Sequence, residues 1–464
     1  MPLLKSFASY SLQMVLALAL FSSAANASTD KSIDITTLGI SGDGITLNTD
    51  NIQRGIDACS AAGGGTLSFP QGRYLTGTIQ IKSNVTLRFE KNATLLGSVE
   101  ASDYRNLDPF IDGNGNPLGH ALIIAVDADH VGVVGMGTVD GQGPRLKSKQ
   151  HPYTIRPFLI RWVRCSNVTV RDIRLVNPGA WTLNFYQTQG ALIENLTIRS
   201  RDLGIHNNDG INIDSSANIM VHQCDIISGD DALVIKSTSA DHPSHHIIAD
   251  ECKLSSHTNA IKLGTESIGG FKNITISKCD ITKTDMAGIA LYTVDGGNLH
   301  HVLIHDINMN GVAVPISIRR GSRMNAFREG DKPKHAPGLL RDVTIRNVSA
   351  KNIGMIGILI NGIPNYPVEA ITLENIQLEL PGGGNAEDAK IQLPEKERAY
   401  PEFSMFGKSM PAHAMYIRHA RAVKCLNLQT ALTHPDERPA SVLIDVPDMN
   451  ATDFLKTSPV GNPH

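Results

Sequence analysis

Three carboxylates and two lysines draw attention first, because a simple alignment brings them together. Asp209-Gly-Ile-Asn-Ile-Asp214 superimposes on Asp231-Ala-Leu-Val-Ile-Lys236 and on Asn259-Ala-Ile-Lys-Leu-Gly264. The next two copies are Ala287-Gly-Ile-Ala-Leu-Tyr292 and Val314-Pro-Ile-Ser-Ile-Arg319. If these are neighbouring strands, alternation sends Ile211, Ile213, Leu233, Ile235, Ile261 and Leu263 to one face. Asn212, Val234, Lys262, Ala290 and Ser317 then share the other. Asp209 and Asp231 head adjacent strands, with Asp230 just before the second. Like charges that close raise the pKa of at least one group, so one carboxyl can keep its proton while another stays ionised. That is the equipment for general acid–base chemistry. Acidic residues also favour strand corners for conformational reasons alone, but three in one register beside Lys236 and Lys262 point to chemistry.

The elements that must position these groups follow from a repeat. An aliphatic residue, two free positions, an apolar residue, one free position and another apolar residue recur. Examples are Val170-Ile173-Leu175, Ile193-Leu196-Ile198, Val221-Cys224-Ile226, Ile276-Cys279-Ile281, Ile304-Ile307-Met309 and Leu373-Ile376-Leu378, with weaker copies at Ala249 and Ile345. First positions advance by 23, 28, 28, 27, 28, 41 and 28 residues. A period near 28 built from short alternating segments, with Asn or Gly at the corners, means stacked β-strands rather than helical pairs. No coil can bury its own inner face, so the coils share one continuous core. The expected fold is all-β, a single-domain right-handed parallel β-helix, the hand being that of ordinary parallel crossovers.

Thr49 to Ala62 places Ile52, Ile56 and Cys59 on one helical face before Gly63-Gly64-Gly65, which predicts an N-terminal capping helix. The step of 41 marks an insertion between about 319 and 341, and a second falls between about 380 and 412. Long loops on a rigid scaffold commonly wall a binding site. The first carries seven basic and two acidic residues, which reads as a solvated loop or as a basic wall. Cys224, Cys252 and Cys279 occupy one column, expected to be an inward ladder of reduced thiols. Trp162 and Trp181 read as packing residues, and His206 and His257 flank the acidic cluster.

The 464 residues are 41% hydrophobic and carry a formal net charge of -3, which excludes a largely disordered chain and a general nucleic-acid coat. Met14 to Phe21 is a short apolar run followed by Ala25-Asn26-Ala27, the pattern of a secretory signal cleaved after Ala27. Residues 1–27 are therefore expected to be a signal peptide and 28–464 the mature domain. The product would be a periplasmic or secreted monomer with no membrane attachment once cleaved.

Asn207-Asn208-Asp209-Gly210 and Ser228-Gly229-Asp230-Asp231 resemble the first two motifs of the polygalacturonase-type glycoside hydrolases, glycoside hydrolase family 28. The resemblance extends over Gly42-Asp43-Gly44, Gly63-Gly64-Gly65-Thr66-Leu67, Arg156-Pro157-Phe158-Leu159-Ile160 and Asn177-Pro178-Gly179-Ala180-Trp181. It implies inverting hydrolysis of pectic, galacturonic-acid-containing polysaccharide, without cofactor or metal. Asp230 would be the general acid, and Asp231 and Asp209 would activate water. The chain departs from the family pattern twice. Thr258-Asn259-Ala260 replaces Gly-His-Gly, and Ala290 and Tyr292 stand where Arg-Ile-Lys would supply cations. Lys262, outward and one coil before Ala290, is the expected replacement for holding an acidic sugar. Asn259, Lys236, Tyr292 and His206 are the other expected sugar contacts. Two other readings stay open: a β-helix lyase or epimerase, and a carbohydrate-binding β-helix without activity.

Overall fold

The computed structural model describes residues 32–112, 115–149, 152–449 and 455–459. The expected signal segment and its cleavage point lie outside the described residues. Strand pairing along the solenoid is parallel coil after coil, and the chain forms a right-handed parallel β-helix. One antiparallel pair, Asn106–Ile111 with Pro117–Val126, departs from this.

The repeat has a conformational cause. In Ile193-Glu194-Asn195-Leu196, Ile193 lies in the strand Gln189–Glu194, and Asn195 turns the chain at φ 52° before the strand Thr197–Arg199. Gln223, Glu251, Lys278, Asp306, Asn347 and Asn375 occupy the same corner with φ between 51° and 58°. The second free position of each copy is thus a left-handed residue, where Asn and Asp are most easily tolerated. Stacked corners also bond to one another: Asn347 Nδ2 donates to Asp306 Oδ1 at 2.8 Å, and Asn375 Nδ2 to Asn347 Oδ1 at 3.0 Å.

The ladder that carries the site runs through Ile211–Asp214, Leu233–Ser237 and Ile261–Ser267. It continues through the ends of Phe271–Thr293 and Leu299–Arg320 to Ile358–Asn361 and Met415–Arg418. Ile211 pairs with Leu233, Leu233 with Ile261, Ile261 with Ile289 and Ile289 with Ile316, which is the register expected from the alternation. These side chains are buried in one continuous core, where each large aliphatic contributes about 1.5–3 kcal/mol. Cys224, Cys252 and Cys279 lie in that core as free thiols, each donating to the carbonyl two residues earlier at 3.2–3.4 Å. The helix Thr49–Ala61 buries Ile52, Ile56 and Cys59 against the first coil.

Both insertions are present, and both fold back over the site ladder. Arg319, on the ladder, donates to the carbonyls of Glu395 at 2.8 Å and Lys396 at 3.1 Å. Arg418, two coils on, donates to those of Leu393 at 2.7 Å and Pro394 at 3.0 Å. Leu393, Phe406 and Met410 of the same insertion pack on Ala290, Tyr292, Leu359 and Tyr416. The first insertion does not make a basic wall. Arg323 pairs with Asp295 at 2.6 Å and Arg328 with Asp214 at 3.3 Å, so these guanidiniums fasten the loop to the coils.

Candidate active site

Asp209, Asp231, Asn259 and Ala287 stack at one corner of successive coils. The stack is fixed by Gly210 N donating to Asp231 O at 2.9 Å and Ala232 N to Asn259 O at 2.9 Å. The carboxylates line a cleft also walled by Tyr153, Trp181, Asn207, Lys236, Glu266 and Tyr400. A larger cavity, about 550 Å³, lies elsewhere, along the ladder containing Asp225, Lys253 and Asp280. It holds none of the three clustered carboxylates.

The three carboxylates have different surroundings. Asp231 is buried, and every bond it accepts favours its ionised form. Oδ1 takes Thr258 Oγ1 at 2.7 Å and Asn259 Nδ2 at 2.8 Å, and Oδ2 faces Lys262 Nζ at 2.9 Å. Burial alone would raise its pKa, but Lys262, Asn259 and Lys236 outweigh burial and hold it below the ordinary value. Asp230 is the least buried of the three. Its Oδ1 accepts the Asp231 amide at 2.8 Å and lies 3.0 Å from Thr258 Oγ1, whose single proton it shares with Asp231. Burial and the neighbouring Asp231 charge push its pKa up. Asp209 accepts Asn212 Nδ2 at 3.1 Å, while Lys236 Nζ stays 3.7 Å away. Burial, and then its carboxylate neighbours, push the Asp209 pKa well above the ordinary range.

Several expected sugar contacts occupy different positions. Lys262 is only 3% exposed, and its ammonium sits between Asp231 at 2.9 Å and Glu402 at 2.9 Å. Asn259 is fully buried: Nδ2 serves Asp231 and Glu402, and Oδ1 accepts the Ala287 amide at 3.1 Å. Tyr292 is also fully buried in the apolar cluster, its hydroxyl 3.0 Å from Ser317 Oγ. Alternation gave its face correctly, but the insertion covers that face. His206 is exposed, and its backbone carbonyl accepts Arg156 Nη2 at 3.4 Å. His257 bonds Asp202 and Asp285 on the surface. Lys236 does line the cleft, 3.4 Å from Glu266 Oε2 and 4.2 Å from the Trp181 ring centroid. Trp181 stacks on Phe158 at 4.9 Å, so it packs and walls the cleft at once.

Glu402, Tyr400 and Glu266 were not singled out from sequence. Glu266 had a signal available, lying two residues past the aligned strand segment that ends at Gly264. Glu402 and Tyr400 had only the general expectation that the second insertion would wall the site.

The model of glycosyl hydrolases family 28 matches residues 59–398. The chain belongs to that family. This family 28 chain is 27% identical over 371 residues to a probable polygalacturonase of Vitis vinifera, covering 75% of this chain and 74% of that protein. It is 24% identical over 380 residues to an exo-poly-alpha-D-galacturonosidase of Dickeya chrysanthemi, covering 69% of this chain and 62% of that protein. The exopolygalacturonase of Thermotoga maritima has the same fold at a TM-score of 0.64, with 23% identity over 78% of this chain and 91% of that one. The match places the chain among enzymes that hydrolyse O-glycosyl bonds. Among the described residues, no helix is long and apolar enough to cross a membrane.

Proposed function

We propose that this family 28 enzyme is an exported hydrolase of pectic, galacturonic-acid-containing polysaccharide or oligosaccharide, acting by inversion through Asp230 as acid, with Asp231 and Asp209 activating water. The observation that carries the reading is the opposite electrostatic setting of two adjacent residues. Burial and the charge beside it favour the protonated form of Asp230, while Lys262 Nζ at 2.9 Å and Asn259 Nδ2 at 2.8 Å favour the ionised form of Asp231. Glycosidic cleavage needs one proton on the leaving oxygen and one carboxylate on the attacking water. Asp230 is the more open of the pair, which suits the group that must reach the leaving oxygen. Asp209, stacked one coil earlier and lining the same cleft, joins Asp231 in holding the attacking water. Lys236, at the cleft wall beside Trp181, is the cation best placed to meet a substrate carboxylate.

The relatives named as acting on polygalacturonate support the pectic assignment. The test is a panel of polygalacturonate and rhamnogalacturonan, with products resolved by mass and linkage and the first-formed anomer read by proton NMR. New reducing ends of inverted configuration are expected. An unsaturated, ultraviolet-absorbing product would make the enzyme a lyase, and a retained anomer would remove the inverting assignment.

A further inference from the structure

Lys262 has one ammonium and two carboxylates to satisfy. Asp231 Oδ2 comes from the preceding coil, and Glu402 Oε1 from the second insertion, each at 2.9 Å. Asn259 repeats the bridge, its amide nitrogen 2.8 Å from Asp231 Oδ1 and 3.2 Å from Glu402 Oε1. Glu402 therefore contacts two of the side chains that hold Asp231, Lys262 and Asn259. A charge at this place is not needed to fasten the insertion. Arg319 and Arg418 already bind its backbone carbonyls, and Leu393, Phe406 and Met410 pack it on the ladder. Burying a carboxylate that anchors nothing else is costly, and burial does raise its proton affinity.

We propose that Glu402 is a positioning residue for hydrolysis: it aims Lys262 and Asn259 at Asp231 and, by sharing the Lys262 charge, sets how basic Asp231 is. The inference rests on Asp231 being the base. A base works best when its pKa is not driven far below the working pH. With Lys262 paired to Asp231 alone, that carboxylate would be held down harder and would take a proton from water less readily. Other charged and titratable groups also face Asp231: Asp230 on its own turn, Asp209 one coil earlier, Lys236 on its own strand, and Lys262 and Tyr292 on the two coils after it. From the insertion come Glu402 and Tyr400, whose hydroxyl is 3.4 Å from Lys262 Nζ. Glu402 is the carboxylate among them that the solenoid itself does not supply.

The experiment measures kcat and KM against pH on polygalacturonate and on rhamnogalacturonan, with thermal melts as the check on folding. Glu402→Gln keeps shape and removes charge. Its acidic limb of kcat is expected to move down by about half to one pH unit, with kcat at the plateau about tenfold lower and KM within about threefold. Glu402→Asp keeps the charge on a shorter arm and should lower kcat without moving the limb. An unmoved limb in a folded Glu402→Gln overturns the proposal, and so does a tenfold rise in KM at unchanged kcat, which would make Glu402 a substrate contact. If Glu402→Gln does not fold, a limb displaced in Glu402→Asp overturns it instead. Near-normal turnover by Asp231→Asn would defeat the base assignment itself, a separate failure from either of these.

Discussion

The outward column of the site ladder has two halves, and one insertion covers both. The upstream half presents Asp209, Asp231, Asn259 and Lys262, and meets Tyr400 and Glu402. The downstream half presents Ala287, Ala290, Tyr292, Leu359 and Tyr416, and meets Leu393, Phe406 and Met410. Burial is similar in the two halves, but its consequences are opposite. Downstream, desolvation is favourable and fixes the loop, at about 1.5–3 kcal/mol per large side chain. Upstream, desolvation is unfavourable and separates the pKa values of neighbouring carboxyls. The apolar half stabilises the closed arrangement that makes the polar half reactive. A third region sharpens the point: Asp280 and Lys253 also sit outward on successive strands, but they are exposed, with no insertion over them. Acidic and basic residues in register are not enough; the covering loop makes the difference.

The largest expected effect tests the polar half. Asp230→Asn removes the proton donor and should lower kcat by about 10²–10⁴-fold while leaving the melt close to wild type. The pH profile carries the sign. The pKa of Asp230 is raised, so wild-type activity should fall as pH rises through that raised value and the acid is lost. Asp231 is held low, so activity should fall on the acid side only once pH drops through its depressed value. Asp230→Asn should therefore lose the basic limb and keep the acidic one. A basic limb that survives in the variant would mean that another group titrates there.

Lys262→Met comes next, and it separates the sequence-based role of Lys262 from the structural one. A substrate cation would be read in KM. A cation lodged between Asp231 and Glu402 would be read in stability and in the acidic limb. Removing one partner of a buried ion pair costs about 3–5 kcal/mol. The two stranded carboxylates would repel, so the acidic limb should move to higher pH, opposite to the shift expected for Glu402→Gln. A raised KM with unchanged melt and unchanged limb would restore Lys262 as a sugar contact.

Legibility from sequence divides along the same line as the two halves. The coil period was readable because each corner needs a left-handed residue at a fixed offset, which imposes spacing on the apolar residues around it. The meeting of Asp209, Asp230 and Asp231 was readable because strand register follows from a period of two. What covers a face is a different matter. Asn259 and Glu402 are 143 residues apart in sequence, and no periodicity links an insertion to the coil it lands on. Hence Lys262 and Tyr292 were placed on the right face with the wrong neighbours, and Glu402 went unseen.

Phe406→Ala tests the apolar half. It should cost about 3–5 kcal/mol if the pocket it leaves cannot collapse. Activity should fall with it only as far as Glu402 is displaced, so its acidic limb should shift in the same direction as that of Glu402→Gln. Tyr292→Phe is the smallest change and the most discriminating. The phenol is fully buried, and its hydroxyl meets Ser317 Oγ at 3.0 Å rather than the cleft. Deleting it removes one neutral hydrogen bond, worth about 0.5–1.5 kcal/mol, and leaves the ring packing intact. Burial also holds the phenol well above its usual pKa, so it contributes no titration to the working range. Tyr292→Phe should therefore melt slightly earlier than wild type and match it in kcat, KM and both pH limbs. A several-fold rise in KM on an acidic substrate would place Tyr292 on the sugar after all. The insertion would then have to open during turnover, and the downstream half could no longer be a fixed anchor.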